Sequence, residues 1–235
     1  MEIIYKNTKV NYTCFGGGKV ILYLHGWGGS TQSFLGLASH MKDYKNILVD
    51  FPPFGKSQEP KVPFDIFDYA NIVSEILSQE KVKEFSIVSH SFGTRVAICL
   101  CNRYNVDKLI ITGGAGLKPK NNIKKIIRKI KYKIIKIFNK NASVGSLDYR
   151  NLSIIMKKTF NNIIRINLND LIKAINAKTL IIYGNNDKET PLYMAKKYNK
   201  LINNSKLIIY KNCGHFAYLQ NFNQFLIDTK NFIKD

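Results

Sequence analysis

The chain has 235 residues, of which 45% are apolar and 22% are charged. This length suits one domain, and the apolar content excludes a disordered chain, which could not bury enough surface to fold. The sequence is strongly basic, because 36 lysines and arginines against 16 acidic residues give a formal net charge of +20. Such a charge fits an anionic partner, either nucleic acid or an acidic membrane surface.

Charge alone does not identify a partner, since lysine, asparagine and isoleucine are abundant throughout, as an AT-rich genome would produce. Zinc-finger spacings and aromatic RNA-binding motifs are absent, so we expect no nucleic-acid partner. Four scattered cysteines are too few for a disulfide scaffold, and the first residues lack the apolar run of a secretory signal. No apolar stretch has the length of a membrane span. We expect a cytoplasmic monomer or homodimer with reduced cysteines.

Short apolar runs rich in β-branched residues alternate with segments of helical periodicity. This pattern predicts an α/β fold with a doubly wound, mostly parallel sheet. In chain order, eight strands are predicted at residues 3–5, 10–15, 20–24, 47–51, 85–89, 109–112, 179–183 and 207–210. The first two form an antiparallel pair around the turn Lys6-Asn7-Thr8. Helices are predicted at residues 31–41, 65–79, 92–103, 192–201 and 220–233.

A long segment after the sixth strand interrupts this alternation. Residues 117–176 contain no good strand and read as a helical cap inserted into a core of residues 1–116 and 177–235. Within the cap, an apolar helical stripe lies opposite a run of lysines and arginines. Such a helix covers a site as a lid or lies in a lipid interface, and one helix can serve both roles. The stripe comprises Ile123, Ile126, Ile127, Ile130, Ile134, Ile137 and Phe138.

Polar residues suited to catalysis follow the carboxyl ends of several predicted strands, where open parallel sheets bind ligands. Ser91 follows the fifth strand, at a strand-to-helix turn that exposes its hydroxyl. Asp187 follows the seventh strand and His215 the eighth. Because a serine hydroxyl attacks only when a base removes its proton, we assign His215 as base and then acid. Asp187 would orient the imidazole, and the chain order Ser, Asp, His is typical of this sheet.

The attacked carbonyl develops an oxyanion, which needs preorganised donors. We assign this role to the backbone N–H groups of Phe92, directly after the serine, and Trp27, in a glycine-rich loop after the third strand. Trp27 and Phe54 are also predicted to line an apolar substrate pocket. The cap residues predicted to complete that pocket are Ile126, Ile130 and Tyr132.

The four histidines lack metal-ligand spacing, and no Cys/His cluster exists in the sequence. We therefore expect no metal and no cofactor. His25 and His90, which flank the glycine-rich loop and the serine, are interpreted as structural residues beneath the site. His40 lies in a predicted helix and is expected to be exposed.

These motifs together resemble those of the α/β-hydrolase superfamily. The segments HGWGGS, DFPPFGKS, SHSFG, GNNDKETP and CGHF stand in the family's order and span nearly the whole chain. One departure is Ser89, since the turn that presents the nucleophile normally begins with glycine. The chain is most similar to small bacterial hydrolases with a short helical cap. This resemblance implies an esterase or carbon–carbon hydrolase without a cofactor, and Ser91 excludes relatives that use an Asp nucleophile.

We therefore predict a serine hydrolase of the carboxylesterase type, acting through an acyl-enzyme on a small to medium, largely apolar substrate. Carbon–carbon bond hydrolysis, lipase-like action and aminopeptidase action remain alternatives. The last is disfavoured, because Asp148 and Asp170 are the few carboxylates of the predicted cap. A non-enzymatic alternative is an idle module that binds anionic membranes weakly through its basic cap. Loss of esterase activity in Ser91→Ala would favour the enzyme, and salt-sensitive vesicle binding would favour the membrane contact.

Overall fold

The computed structural model describes residues 1–118 and 152–235. In this part of the chain, eight strands form one sheet in the order β1-β2-β4-β3-β5-β6-β7-β8. The pairs β1–β2 and β2–β4 are antiparallel, and all other neighbours are parallel. The prediction of a mostly parallel, eight-stranded α/β sheet is confirmed. The strands are β1 (Glu2–Tyr5), β2 (Thr8–Phe15), β3 (Val20–Leu24), β4 (Lys45–Val49), β5 (Phe85–His90), β6 (Val106–Thr112), β7 (Lys178–Gly184) and β8 (Ser205–Tyr210).

Helices cover both faces of the sheet. Residues of α2, α3 and α6 join the apolar core on one face, whereas residues of α1 and α8 join the core on the other. Within the two described ranges, no helix combines the length and apolar character needed to cross a membrane. The helices are α1 (Gln32–Ser39), α2 (Ile66–Gln79), α3 (Phe92–Cys101), α4 (Ile154–Arg165), α5 (Asn169–Lys173), α6 (Leu192–Leu201), α7 (Ala217–Gln220) and α8 (Phe222–Lys234).

Strand β3 shows why continuous apolar runs predict the centre of this sheet. All five of its residues are buried, and successive side chains point to opposite faces. Leu22 therefore packs in one core and Tyr23 in the other. Because β3 lies between β4 and β5, the chain leaves it on one side and later returns on the other. The carboxyl end of β3 is thus a topological switch point, the place where such sheets bind ligands.

Two local predictions need correction. The turn between β1 and β2 consists of Lys6 and Asn7 alone, with φ of 44° and 57°, whereas Thr8 is the first, buried residue of β2. Positive φ at both central residues is the geometry of a two-residue hairpin turn. The helix predicted at residues 220–233 corresponds to α8, which begins at Phe222, and the short helix α7 that precedes it was not predicted.

Helix α4 belongs to the predicted cap and packs on the core. The backbone N–H of Phe64 donates to Thr159 Oγ1 over 2.9 Å. The Arg95 guanidinium donates from Nη2 to the carbonyls of Ile163 and Ile166, at 2.5 and 2.8 Å, and so caps the carboxyl end of α4. The apolar stripe at residues 123–138 lies outside the described residues. The cap boundaries of 117–176 therefore stay a prediction.

Candidate active site

Ser91 occupies a strained turn between β5 and α3. Its φ of 48° and ψ of −112° are rare for a residue with a Cβ, and such strain is concentrated at functional sites. The surrounding backbone fixes the turn, because the Ser91 N–H donates to the Thr112 carbonyl over 3.2 Å. The Ser91 carbonyl in turn accepts from the N–H groups of Thr94 and Ala115, both at 3.1 Å.

Two glycines allow the turn to lie close to β3. A Cβ on Gly93 would lie 2.1 Å from the Leu24 carbonyl oxygen, so only glycine fits there. A Cβ on Gly26 would lie 3.3 Å from Ser91 Cβ. The loop after β3 therefore packs directly against the serine.

Ser89, where the family resemblance leads one to expect glycine, fits beneath this turn. Its side chain is fully buried. The hydroxyl donates to the Ile110 carbonyl over 3.0 Å and lies 3.2 Å from Thr94 Oγ1. The hydrogen bonds satisfy the extra polar atom, and the small side chain needs no further space.

The carboxylate of Asp187 is held by its own turn. Oδ1 accepts from the N–H groups of Glu189 and Thr190, both at 2.9 Å. Oδ2 accepts from the Thr190 hydroxyl at 2.8 Å and from His215 Nδ1 at 2.9 Å. Because four donors surround it, this buried carboxylate is fixed in orientation before any ligand binds.

His215 lies in a space that a glycine leaves open. Gly113 has φ of 53°, and a Cβ there would lie 3.1 Å from His215 Nδ1. Thr112 accepts a hydrogen bond from the Ser91 N–H, and the next residue, Gly113, packs against the imidazole. The segment after β6 therefore contacts both the serine turn and His215. Burial alone would lower the pKa of His215, but the hydrogen bond to Asp187 and the charges of Asp187 and Glu189 raise it overall.

The second ring nitrogen of His215 contacts a carboxylate that sequence reasoning missed. Nε2 lies 3.2 Å from Glu189 Oε2. Within the described residues, it forms no hydrogen bond with the Ser91 hydroxyl. Burial raises the pKa of Glu189, and so does the charge of Asp187, whereas His215 lowers it. Thr190 could have been found from the turn-forming Asp187 three residues before it. Nothing in the local sequence distinguishes Glu189 from an exposed residue.

His25 and His90 support the surrounding backbone, in keeping with their structural interpretation. His25 Nε2 accepts from the Phe51 N–H over 2.9 Å. Burial lowers the pKa of His25 to about 4, so its ring is neutral. His90 donates from Nε2 to the His215 carbonyl over 3.2 Å. Burial lowers the pKa of His90 well below its usual value, and the charge of His215 lowers it further.

An aromatic cluster flanks the serine turn. The Trp27 ring makes edge contacts with Phe54, Phe92 and Phe160, at centroid distances of 5.0, 5.4 and 5.3 Å. Phe160 belongs to α4, and sequence reasoning did not select it, because its apolar character resembles that of its neighbours. The N–H groups of Trp27 and Phe92 have no hydrogen-bond partner in the described ranges.

The remaining predicted site and cap residues either lie outside the described residues or make no contact with Ser91, Asp187 or His215. Ile126, Ile130, Tyr132 and Asp148 lie outside the described residues. Asp170 is exposed and forms an ion pair with Lys173 at 3.3 Å. Across residues 1–118 and 152–235, there is no group of three His, Cys, Asp or Glu side chains that could hold a metal ion.

The fold and these motifs are those of the α/β hydrolases, and comparison with known proteins identifies the same class. A profile described as the α/β hydrolase fold matches residues 19–129 and 137–222. The chain therefore belongs to the α/β-hydrolase family.

Known relatives in this family differ in their chemistry. One curated protein, a 2-hydroxy-6-oxononadienedioate/2-hydroxy-6-oxononatrienedioate hydrolase of Klebsiella pneumoniae, is 24% identical and covers 92% of this chain and 88% of its own. A membrane phospholipase A structure superposes with a TM-score of 0.84 at 19% identity, covering 100% and 85% of the two chains. The esterase EaEST from Exiguobacterium antarcticum superposes with a TM-score of 0.81 at 22% identity, covering 97% and 96%.

Proposed function

We propose that the protein is a serine carboxylesterase in which Ser91 is the nucleophile, His215 the base and Asp187 the orienting carboxylate. The observation that carries this proposal is the preorganised Asp187–His215 pair, joined at 2.9 Å, beside a serine in a strained turn. A strained serine turn and a buried carboxylate–imidazole pair at the carboxyl edge of the sheet favour catalysis.

In the proposed mechanism, the His215 ring transfers protons through Nε2. Asp187 accepts from Nδ1–H, which leaves Nε2 as the unprotonated nitrogen that removes the Ser91 proton. The serine oxygen attacks the ester carbonyl, and the imidazolium then protonates the departing alcohol. A water molecule, activated by the same nitrogen, hydrolyses the acyl-enzyme. The contact between Nε2 and Glu189 must give way to Ser91 before attack, and catalytic hydrogen bonds commonly tighten only when substrate binds.

The backbone N–H groups of Trp27 and Phe92 would stabilise the oxyanion. Both lack partners in the described part of the chain, and Gly26 brings the Trp27 loop against Ser91. Losing one such donor typically lowers the rate by about 100- to 1,000-fold.

The aromatic cluster supports an apolar substrate. Trp27 is half-buried and contacts Phe54, Phe92 and Phe160. Aromatic side chains from the core and from α4 therefore surround Trp27 beside the serine turn. Apolar surface of this kind binds acyl chains through the hydrophobic effect. We therefore propose esters of small to medium, largely apolar acids.

Carbon–carbon bond hydrolysis is the second candidate, and the name of the Klebsiella relative favours it. The same serine, histidine and aspartate could serve it. The substrate in that name is a dicarboxylate, however, and the Glu189 carboxylate beside His215 would repel such an anion. Ester hydrolysis is therefore the better-supported activity.

Hydrolysis of p-nitrophenyl butyrate by purified variants tests the proposed function. We expect Ser91→Ala and His215→Ala each to lower kcat/KM by at least about 10,000-fold, because either change removes the nucleophile–base pair. Circular dichroism checks that both variants fold.

Ser39→Ala is the matched control, since Ser39 is exposed at the end of α1 and its hydroxyl only donates to the Leu35 carbonyl. This variant should retain wild-type activity. Full activity in Ser91→Ala would assign catalysis to another residue and overturn the proposal.

A further inference from the structure

Glu189 lies at the one nitrogen that the proposed mechanism uses. His215 Nδ1 is occupied by Asp187 at 2.9 Å, so Nε2 is the nitrogen that exchanges protons with Ser91 and the leaving alcohol. Glu189 Oε2 is 3.2 Å from that nitrogen. A group this close to Nε2 is therefore adjacent to the leaving group of any bound ester.

The position of Glu189 is fixed by its backbone, while its carboxylate remains accessible. Its N–H donates to Asp187 Oδ1, and the next residue, Thr190, donates to the same carboxylate twice. The Glu189 side chain keeps 36% of its surface exposed. It can thus meet both His215 and a substrate group that enters from solvent.

Among the described residues that contact His215, the charged groups at this site are carboxylates. The recorded ion pair of Glu189 in the described ranges is with His215, which must be neutral to act as base. His25 and His90 are neutral because burial lowers the pKa of each. When His215 is unprotonated, the described groups around its ring therefore carry two negative charges, those of Asp187 and Glu189.

We propose that Glu189 is a specificity-determining residue that favours esters whose leaving alcohol carries a positive charge and disfavours those whose alcohol carries a carboxylate. The inference rests on the proposed function, because it takes the leaving group to pass His215 Nε2. At a separation of about 5 Å, and with partial exposure to water, a fixed charge would change kcat/KM by about 3- to 10-fold.

Two esters of the same shape isolate this effect. Butyrylcholine and 3,3-dimethylbutyl butyrate differ in a quaternary nitrogen against a quaternary carbon, so size and apolar contact are matched. We expect the wild-type ratio of kcat/KM, choline ester over neutral ester, to be about 3 to 10, and to fall to about 1 in Glu189→Gln. The butyrate ester of glycolate should be cleaved more slowly than the neutral ester by the wild type, with the gap closing in Glu189→Gln.

Glu84→Gln is the matched control. Glu84 is exposed and precedes β5, whereas Ser91 follows it, so the two lie roughly 20 Å apart. The control should keep the wild-type ratio although it makes the same change in net charge. A merely structural role for Glu189 would lower the values for all three esters equally and leave their ratios unchanged, which would overturn the proposal.

A failure of the proposed function gives a different result. If the wild type cleaves none of the esters, a second measurement is used in place of kcat/KM. This measurement is the rate at which organophosphonates label Ser91, with one reagent carrying a trimethylammonium leaving group and the other a neutral one. Labelling at equal rates in wild type and Glu189→Gln, for both reagents, overturns the charge selection alone. Absence of any labelling at Ser91 overturns the proposed function and the charge selection with it.

Discussion

His215 has a carboxylate beside each ring nitrogen, and in the proposed mechanism this arrangement controls the pH at which the ring can act as a base. Burial alone would favour the neutral ring, but Asp187 and Glu189 stabilise the protonated ring and raise the pKa of His215 overall. The other imidazole in contact is His90, at a centroid distance of 4.7 Å. It is neutral, because burial lowers its pKa. The charge on His215 therefore depends on burial, which favours the neutral ring, and on the two carboxylates, which outweigh it.

The pH dependence of Glu189→Gln tests this arrangement. The wild-type kcat/KM for p-nitrophenyl butyrate should rise with pH through the His215 pKa, since only the neutral ring accepts the serine proton. Removing the Glu189 charge removes stabilisation of the imidazolium and lowers that pKa. The acid limb of the profile should therefore move to lower pH in Glu189→Gln and stay in place in Glu84→Gln. An acid limb that does not move in Glu189→Gln would show that its charge is not coupled to the base.

At the scale of secondary-structure elements, close approach of strand and helix positions Ser91, the proposed nucleophile. Helix α3 begins directly after Ser91 and passes so near β3 that a Cβ on Gly93 would lie 2.1 Å from the Leu24 carbonyl oxygen. Both partners are backbone in packed elements, so neither can shift without disturbing the sheet.

Gly93→Ala should therefore destabilise the protein by at least about 2 kcal/mol, as expected for an overpacked core position. Urea unfolding followed by circular dichroism measures the change. Gly17→Ala is the matched control, because a Cβ there meets nothing within 4 Å, and its free energy of unfolding should change by less than about 0.5 kcal/mol. Equal stabilities for the two variants would contradict the packing described for α3.

The elements that sequence predicted best are those with the simplest patterns. Strand β3 was predictable at both ends, because five consecutive apolar residues require cover on both faces. The short helix α7 and the boundary at Asn221 between α7 and α8 were not predicted, since four residues are too few to show a helical period. Periodicity identifies the buried face of a helix but does not locate every interruption in its axis.

At the scale of the whole molecule, the carboxyl edge of the sheet explains which site residues could be predicted. Ser91 follows β5 directly, and Asp187 and His215 lie in the loops after β7 and β8, so topology brings all three to one edge. Two other residues reach this site in a different way. The turn after Asp187 brings Glu189 to His215, and the packing of α4 brings Phe160 to Trp27. Those contacts depend on distant parts of the chain, and no local pattern reports them.

The net charge of +20 is also a property of the whole molecule. The contact with anionic membranes through the cap remains a proposal, and salt-sensitive vesicle binding is its test. In the proposed mechanism, the described charges closest to the base are the negative ones of Asp187 and Glu189.

Labelling with a fluorophosphonate, followed by mapping of the modified peptide, tests the central claim most directly. The reagent reacts with a serine only where a base activates it. We predict a single modified residue, Ser91, in the folded wild type, with labelling abolished in Ser91→Ala and at least about 100-fold slower in His215→Ala. Modification of a different residue, or labelling that persists in Ser91→Ala, would contradict the account.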